Sequence, residues 1–168
     1  MIKSIRSRFH GALIAGALLF GGAGLAVAAD PPNTAEVLSK LHQSDQKEIE
    51  AGKLARKNGQ SKQVQDFGKM LMKDHAEADK KVTALAKQQK IDLPAAAAES
   101  MNMEAGADFD AKFARDMLDD HKKDIAEVTE ARDKTDDLKL KKLLSDMLPT
   151  LQKHEETAQK ILDAQVKK

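Results

Sequence analysis

Three histidines of this chain continue apolar helical stripes at a spacing of three or four residues: His75, His121 and His154. Residues at this spacing lie on one face of a helix, so the three imidazoles should point into the protein. On the first predicted helix, Asp45 and Glu48 take the equivalent place. Imidazole nitrogens and carboxylate oxygens are common protein ligands of divalent transition metals. The pattern therefore predicts a buried polar layer with the chemistry of a metal site.

The depth of these residues along their helices agrees with their direction. The predicted helix midpoints fall near residues 46, 75, 121 and 151, and Glu48 and the three histidines lie within about three residues of them, roughly 4.5 Å along the helix. The midpoints of helices of similar length lie at the same depth in a bundle, whether neighbouring helices run parallel or antiparallel. The metal ligands that we predict are Glu48, His75, His121 and His154.

Three aspartates, Asp45, Asp74 and Asp120, are predicted to support this layer. Asp74 and Asp120 each precede a histidine by one residue, which places them about 100° from it around the helix. Each should therefore accept a hydrogen bond from a histidine on another helix, or lie at the boundary between two helices. The two surrounding motifs, "FGKMLMKDH" at 67–75 and "FARDMLDDH" at 113–121, have nearly the same form. A duplication or a shared packing demand would explain this echo.

A buried polar layer needs partners, because each unpaired group costs about 1 to 3 kcal/mol. A bound zinc, copper, nickel or iron ion would satisfy it. The competing interpretation is a metal-free His and carboxylate network that fixes the helix register of a structural or interaction protein. A haem site is a third interpretation, but it would require two axial ligands and space for a macrocycle, which the bulky aliphatic residues around the layer disfavour. Methionine pairs at 70 and 72 and at 101 and 103 are soft copper ligands, although gap filling in the core or an exposed loop is favoured for them.

Four long amphipathic patterns must position these residues, and none shows the alternation of a strand. The predicted helices span about 34–58, 61–90, 108–134 and 135–166. Thr34 and Thr135 are the predicted N-caps of the first and fourth helices. The pattern predicts an all-α, ferritin-like four-helix bundle over residues 34–166.

The connections and one proline give expectations for the topology. Pro94 ends the second helix, and a linker of about a dozen residues follows, long enough to cross the bundle as in ferritin-like folds or to hold a short turn. The other links are short and predict two antiparallel hairpins. Pro149 lies inside the fourth helix and predicts a kink near the polar layer.

Residues 1–29 have the pattern of a cleaved signal peptide. Lys3, Arg6 and Arg8 precede an apolar stretch from about 11 to 27 and a small-residue end, with cleavage expected before Ala29 or Asp30. An uncleaved anchor is the alternative, although this Gly/Ala-rich stretch is barely long enough to span a bilayer. We therefore predict a periplasmic protein without a transmembrane segment after cleavage.

The composition of the remaining 139 residues excludes several function classes. They carry 25 Lys and Arg against 27 Asp and Glu, a near-neutral balance that argues against nucleic acid as a partner. The chain has no cysteine, so it has neither disulfides nor thiolate chemistry. No nucleophile motif or cofactor fingerprint is evident. Catalysis, protein partners and oligomeric state are left open.

Several ordered motifs resemble the bacterial family called domain of unknown function 4142: "EIEAGKLA" at 48–55, the two histidine motifs, and "LPTLQKH" at 148–154. The resemblance covers about residues 35–163. It implies an exported ferritin-like bundle of unestablished activity, whose relatives are often labelled putative outer membrane proteins. Di-iron bundles carry Glu-x-x-His motifs. Here Met or Leu stands three residues before each histidine, so we do not predict a ferroxidase centre.

Overall fold

A computed structural model describes residues 31–95 and 103–166, and the predicted signal peptide lies outside them. The four helices are α1 (Thr34–Asn58), α2 (Lys62–Gln89), α3 (Phe109–Lys134) and α4 (Leu138–Val166). The described residues form no strand, which confirms the predicted all-α four-helix bundle. None of these helices combines the length and apolarity needed to cross a membrane.

Side-chain caps fix where the first two helices begin. Asn33, rather than the predicted Thr34, caps α1, because its side-chain oxygen accepts a hydrogen bond from the N–H of Ala35 at 2.9 Å. Ser61 caps α2 and accepts from the N–H of Val64 at 3.3 Å. Both caps satisfy N–H groups that have no partner inside the helix.

The predicted N-cap of α4, Thr135, is also wrong, because Asp137 caps this helix. Asp137 Oδ1 accepts from the N–H groups of Lys139 and Leu140 at 2.9 and 3.1 Å. Thr135 instead closes α3, where its N–H donates to the carbonyl of Ala131 at 3.0 Å. A carboxylate is the better cap here because its charge also complements the positive end of the helix dipole.

The topology contains one long crossover. α1 packs along α2 and α3 along α4, while α2 faces α4 and α1 faces α3 across the bundle. Gln89 at the end of α2 donates to Asp137 at the start of α4. At the opposite end, Asp110 near the start of α3 accepts from the N–H of Ser61. Residues 90–108 therefore join opposite ends of the bundle, the connectivity found in ferritin-like folds.

Two apolar clusters fill the interior on either side of the polar layer. One contains Phe67, Phe109 and Phe113, with the last two rings stacked at a centroid distance of 5.7 Å. The other is aliphatic and includes Leu38 and Leu144. The polar layer therefore lies between two sets of apolar side chains.

Two glycines set the close approach of α1 and α2. A Cβ atom at Gly52 would lie 2.6 Å from the carbonyl oxygen of Gly68, and a Cβ atom at Gly68 would lie 2.6 Å from the carbonyl oxygen of Gly52. The helix backbones therefore pack closer than any side chain would permit. This packing helps to hold Asp45 of α1 against His75 of α2, about two helical turns away.

Candidate metal centre

Three helices bring the three histidines together in the interior. His75 from α2, His121 from α3 and His154 from α4 are each exposed by 3 % or less. One ring nitrogen from each lies within 4.8 Å of those of the other two, and no other three His, Asp or Glu side chains of residues 31–95 and 103–166 form such a group. The ring centroids are separated by 5.1 to 5.8 Å. The rings are thus close enough to share one ion.

One nitrogen of each imidazole is held from outside by an oxygen acceptor. These pairs are His75 Nδ1 with Asp45 Oδ1 at 2.8 Å, His121 Nδ1 with the Met117 carbonyl at 2.8 Å, and His154 Nε2 with Asp74 Oδ2 at 3.1 Å. Histidines that bind metals usually donate their second N–H to a carboxylate or a backbone carbonyl. Each ring of the cluster has such a partner.

The remaining nitrogens have no comparable partners. His121 Nε2 lies 3.2 Å from His154 Nδ1, and His75 Nε2 is buried without a hydrogen-bond partner among the described residues. The Met117 carbonyl can only accept, so His121 Nδ1 carries the proton and Nε2 of the neutral ring is a lone pair. If His154 donates to Asp74, its Nδ1 is a lone pair as well. Two lone pairs then face each other.

The other tautomer of His154 does not resolve this conflict. A proton on Nδ1 would satisfy His121, but it would leave the lone pair of His154 Nε2 facing the carboxylate of Asp74. His75 Nε2 is unpaired in both cases. As long as Asp74 is an ionised carboxylate, a neutral, metal-free network therefore retains an unfavourable contact in either arrangement.

Burial keeps the three rings neutral. Desolvation lowers the pKa of His75 to about 4, of His121 to about 3 and of His154 to about 4. Protonation near pH 7 therefore cannot supply the missing positive charge. The lone pairs are available to a metal ion at the same pH.

Two buried carboxyl groups lie beside the rings on α1. Asp45 is 2 % exposed, and burial, reinforced by Asp79 and Asp124, raises its pKa to about 8. Glu48 is 1 % exposed, and burial likewise raises its pKa to about 8. Asp45 Oδ2 and Glu48 Oε2 have no hydrogen-bond partner within the described chain. Each carboxyl group therefore leaves one buried oxygen without a partner.

The structure does not bring every predicted residue into the cluster. Glu48 is not among the side chains whose ligand atoms converge, and it lines a separate cleft on the seam between α1 and α3. Asp120 lines the same cleft and forms a salt bridge with Lys47 at 2.9 Å, rather than a hydrogen bond with an imidazole. Asp74, by contrast, reaches His154 on another helix.

One supporting group was not identified from the sequence. The Met117 carbonyl orients His121 from one turn earlier in the same helix. A backbone carbonyl cannot be identified from the types of side chain in a sequence, although the spacing of four residues between Met117 and His121 permits this contact. The histidine of α1, His42, pairs with Asp79 at 2.6 Å, outside the cluster.

Two clefts reach the cluster, and both include His75 in their lining. One has a volume of about 440 Å³ and lies between α1, α3 and α4. The other, about 390 Å³, lies between α2 and α4, with Asp74 and Pro149 in its wall. α4 continues through Pro149 as a helix. The cluster is thus approached along two different seams of the bundle.

A comparison with protein families identifies a family for this chain. The family model described as Domain of unknown function (DUF4142) matches residues 23–161. No curated protein matches the chain significantly, and neither does any solved structure. The family carries no activity that could be compared with the cluster.

Proposed function

The chain belongs to the DUF4142 family, and from its buried cluster we propose that this protein binds one divalent transition-metal ion through His75, His121 and His154. The single observation that carries this proposal is the contact between His121 Nε2 and His154 Nδ1 at 3.2 Å. Two neutral imidazoles whose outer nitrogens are donors repel each other at this distance. A cation bound to both lone pairs turns that repulsion into coordination.

The separation of the two nitrogens is compatible with zinc, one of the candidate ions zinc, copper, nickel and iron. At metal–nitrogen distances of 2.0 to 2.1 Å, tetrahedral ligands are about 3.3 Å apart and ligands at right angles about 2.9 Å. The observed 3.2 Å is nearer the tetrahedral value. Three protein ligands leave a fourth position, where zinc would hold and acidify a water molecule or accept a substrate.

The surrounding acceptors suit a positive ion. Asp45 and Asp74 hold the outer nitrogens of His75 and His154, which increases the basicity of both rings. A bound cation would favour the ionised form of Asp45, whose charge would then compensate part of the charge of the ion. In the metal-free alternative the rings are neutral, so no cation faces these acceptors, and Asp45 Oδ2 remains unpaired.

Metal titration of untagged, chelator-treated protein tests the proposal. We expect one zinc ion per chain by calorimetry and a rise in melting temperature, since a ligand at 100 times its Kd stabilises the folded state by about 2.7 kcal/mol. The double substitution His75→Ala/His121→Ala should abolish both effects. His42→Ala is the matched control, because His42 lies outside the cluster and should leave zinc binding unchanged.

The result that overturns the proposal is equally specific. If zinc, copper, nickel and iron neither bind nor change the melting temperature of the folded wild-type protein, the layer is a metal-free structural network. Zinc binding that survives in the double variant would place the ion elsewhere and would also overturn the proposed ligands.

We also propose that the protein acts in the periplasm, as its basic, apolar and small-residue leader suggests. N-terminal sequencing of protein released from the periplasm should find Ala29 or Asp30 as the first residue. Recovery of the intact leader in the cytoplasmic fraction would contradict this proposal.

A further inference from the structure

The larger of the two clefts is an aliphatic groove along the seam of α1, α3 and α4. Its walls include Val37, Leu41, Val128 and Leu144. It runs from Asp45, near the middle of the bundle, towards the first turn of α1, and the segment from Val37 to Asp45 spans about 12 Å along the helix. Its volume of about 440 Å³ lies within the range of small-molecule sites. The cleft is therefore large enough to hold an aliphatic chain.

The inner end of the cleft carries two acidic groups that have no cationic partner. Asp45 from α1 is 2 % exposed, Asp124 from α3 is half-buried, and both line the cleft. No lysine or arginine of residues 31–95 and 103–166 forms a salt bridge with either group. Asp45 Oδ2 also has no hydrogen-bond partner there. Positive charge and donor groups are thus missing at this end.

The acidic groups at the rim differ, because each already has a lysine. Glu127 pairs with Lys123 at 3.7 Å, and Glu130 pairs with Lys134 at 2.5 Å. The acidic groups of the cleft that lack a cation therefore lie at its inner end and not at its mouth.

The pKa values of the two inner groups agree with this absence of a cation. Burial, together with repulsion from Asp79 and Asp124, raises the pKa of Asp45 to about 8. Burial likewise raises the pKa of Asp124. A positive group placed between them would favour the ionised form of both.

We infer that this cleft binds a primary aliphatic amine whose ammonium head lies between Asp45 and Asp124. The three N–H donors of the head would reach Asp124, Asp45 Oδ2 and the hydroxyl oxygen of Ser44, which lies 3.3 Å from Asp124 Oδ2. The alkyl chain would extend along the aliphatic walls towards Val37. The inference is independent of the proposed metal, because Asp45 holds the Nδ1 side of His75 and leaves the opposite nitrogen for the ion.

Other kinds of ligand match the cleft less well. A carboxylate head would be repelled by the two acidic groups, and an alcohol head would leave them without a cation. A divalent ion alone would leave the aliphatic walls uncovered. No three of the side chains that line this cleft, among the residues that the structure describes, bring their ligand atoms together. An ammonium head with an alkyl chain uses both the charge and the walls.

Binding of octylamine, 1-octanol and octanoate tests the head group with one alkyl chain. We expect calorimetry at pH 8 to show one octylamine per chain and a Kd for 1-octanol about tenfold higher, since hydrogen bonds between charged groups are stronger than those to a neutral hydroxyl. Octanoate should not bind measurably. The same order is expected with zinc-loaded and with chelator-treated protein.

The length of the alkyl chain tests the walls of the cleft. Kd should fall by up to about fourfold for each methylene that the cleft encloses, so octylamine should bind more tightly than butylamine. Val37→Thr keeps the shape of the side chain but adds a hydroxyl group at the outer end. It should weaken octylamine binding by about two- to fivefold and leave butylamine binding unchanged, because a butyl chain does not reach Val37.

A pair of substitutions on α3 tests the acidic inner end. Asp124→Asn removes one charge from the cleft and should weaken octylamine binding by about tenfold or more. Asp119→Asn is the matched control, since Asp119 is an exposed aspartate of the same helix outside the lining of the cleft. Melting curves report whether each variant is folded.

The outcomes separate this inference from the metal site. Octylamine that does not bind, or that binds no more tightly than 1-octanol, overturns the inference, and so do equal losses in Asp124→Asn and Asp119→Asn. None of these results changes the metal proposal, which the zinc titration decides. The head-group series uses the wild-type protein, so the test holds even if Asp124→Asn fails to fold.

Discussion

His121 and His154 face each other through ring nitrogens 3.2 Å apart, and the opposite nitrogen of each ring is engaged by an oxygen. The acceptor behind His121 is a backbone carbonyl, which fixes the proton on Nδ1. The acceptor behind His154 is the carboxylate of Asp74. Since both rings are neutral near pH 7, we propose that a divalent cation completes this contact.

Replacing the carboxylate behind His154 should weaken the metal site without removing a ligand. We predict that Asp74→Asn lowers zinc affinity by about 10- to 100-fold, because the imidazole loses a charged partner that orients it and raises its basicity. Competition titration against a chelator of known affinity measures the change. Asp79→Asn is the control, since Asp79 holds His42 in the same way outside the cluster. Equal losses in both variants would contradict a specific role for Asp74.

The stability of the metal-free protein should fall as pH rises from about 6.5 to about 8. Asp45 and Glu48 keep their protons up to about pH 8 in the folded state, but lose them near 3.8 and 4.5 when unfolded. The folded state therefore binds more protons in this window, and the free energy of unfolding decreases with pH. The slope is at most about 1.4 kcal/mol per pH unit for each group.

The histidines restrict this effect to the upper part of the pH range. Their pKa values are lowered to about 3 to 4, so between about pH 4 and 6.5 the unfolded state binds more protons and stability rises with pH. The two trends oppose each other below pH 6.5, and only the carboxyl contribution remains above it. Urea unfolding with chelator at pH 6.5 and 8 measures the fall. Glu48→Gln should make it shallower, and a rise with pH in the wild-type protein would refute the prediction.

The contact between α1 and α2 should not tolerate a methyl group. Gly52→Ala places Cβ 2.6 Å from the carbonyl oxygen of Gly68, and the backbone cannot give way without separating the helices. We expect a net loss of about 2 kcal/mol in the free energy of unfolding, despite the better helix propensity of alanine. Gly106→Ala is the control, because a Cβ atom there would have no neighbour within 4 Å. Equal stability of the two variants would show that the helices adjust freely.

One buried carboxylate should hold the two helical hairpins in register. Asp110 is 4 % exposed and accepts hydrogen bonds from the N–H groups of Gln60 and Ser61, both at 2.8 Å. Asp110→Ala leaves these donors unpaired and should cost about 1 to 3 kcal/mol. Asp116→Ala on the same helix removes only an exposed salt bridge with Lys112 and should cost about 0.5 kcal/mol or less. Chemical denaturation of the two variants gives the comparison, and a loss in Asp110→Ala no larger than in Asp116→Ala would show that this carboxylate does not hold the hairpins.

The sequence by itself determined the helices and the inward direction of the three histidines. Both follow from local physics. A helical period of 3.6 residues fixes which side chains share a face, and the face that carries the apolar side chains is the one that becomes buried. His75, His121 and His154 continue such stripes at similar depth, so their meeting did not depend on topology. The caps were less certain because Asn33 and Thr34, or Thr135 and Asp137, compete within a few residues.

Only the tertiary structure decided which groups surround the rings. Asp45 and Glu48 are three residues apart and therefore point about 60° from each other, so when Asp45 faces His75, Glu48 turns to the seam with α3. Asp120 faces α1, where Lys47 is its nearest charge. Spacing along a chain fixes an angle on its own helix, but the neighbour on that side depends on how the helices are arranged and rotated. That arrangement, with its long crossover, is what places Asp45 behind His75 and Asp74 behind His154, and it leaves three nitrogens facing one another.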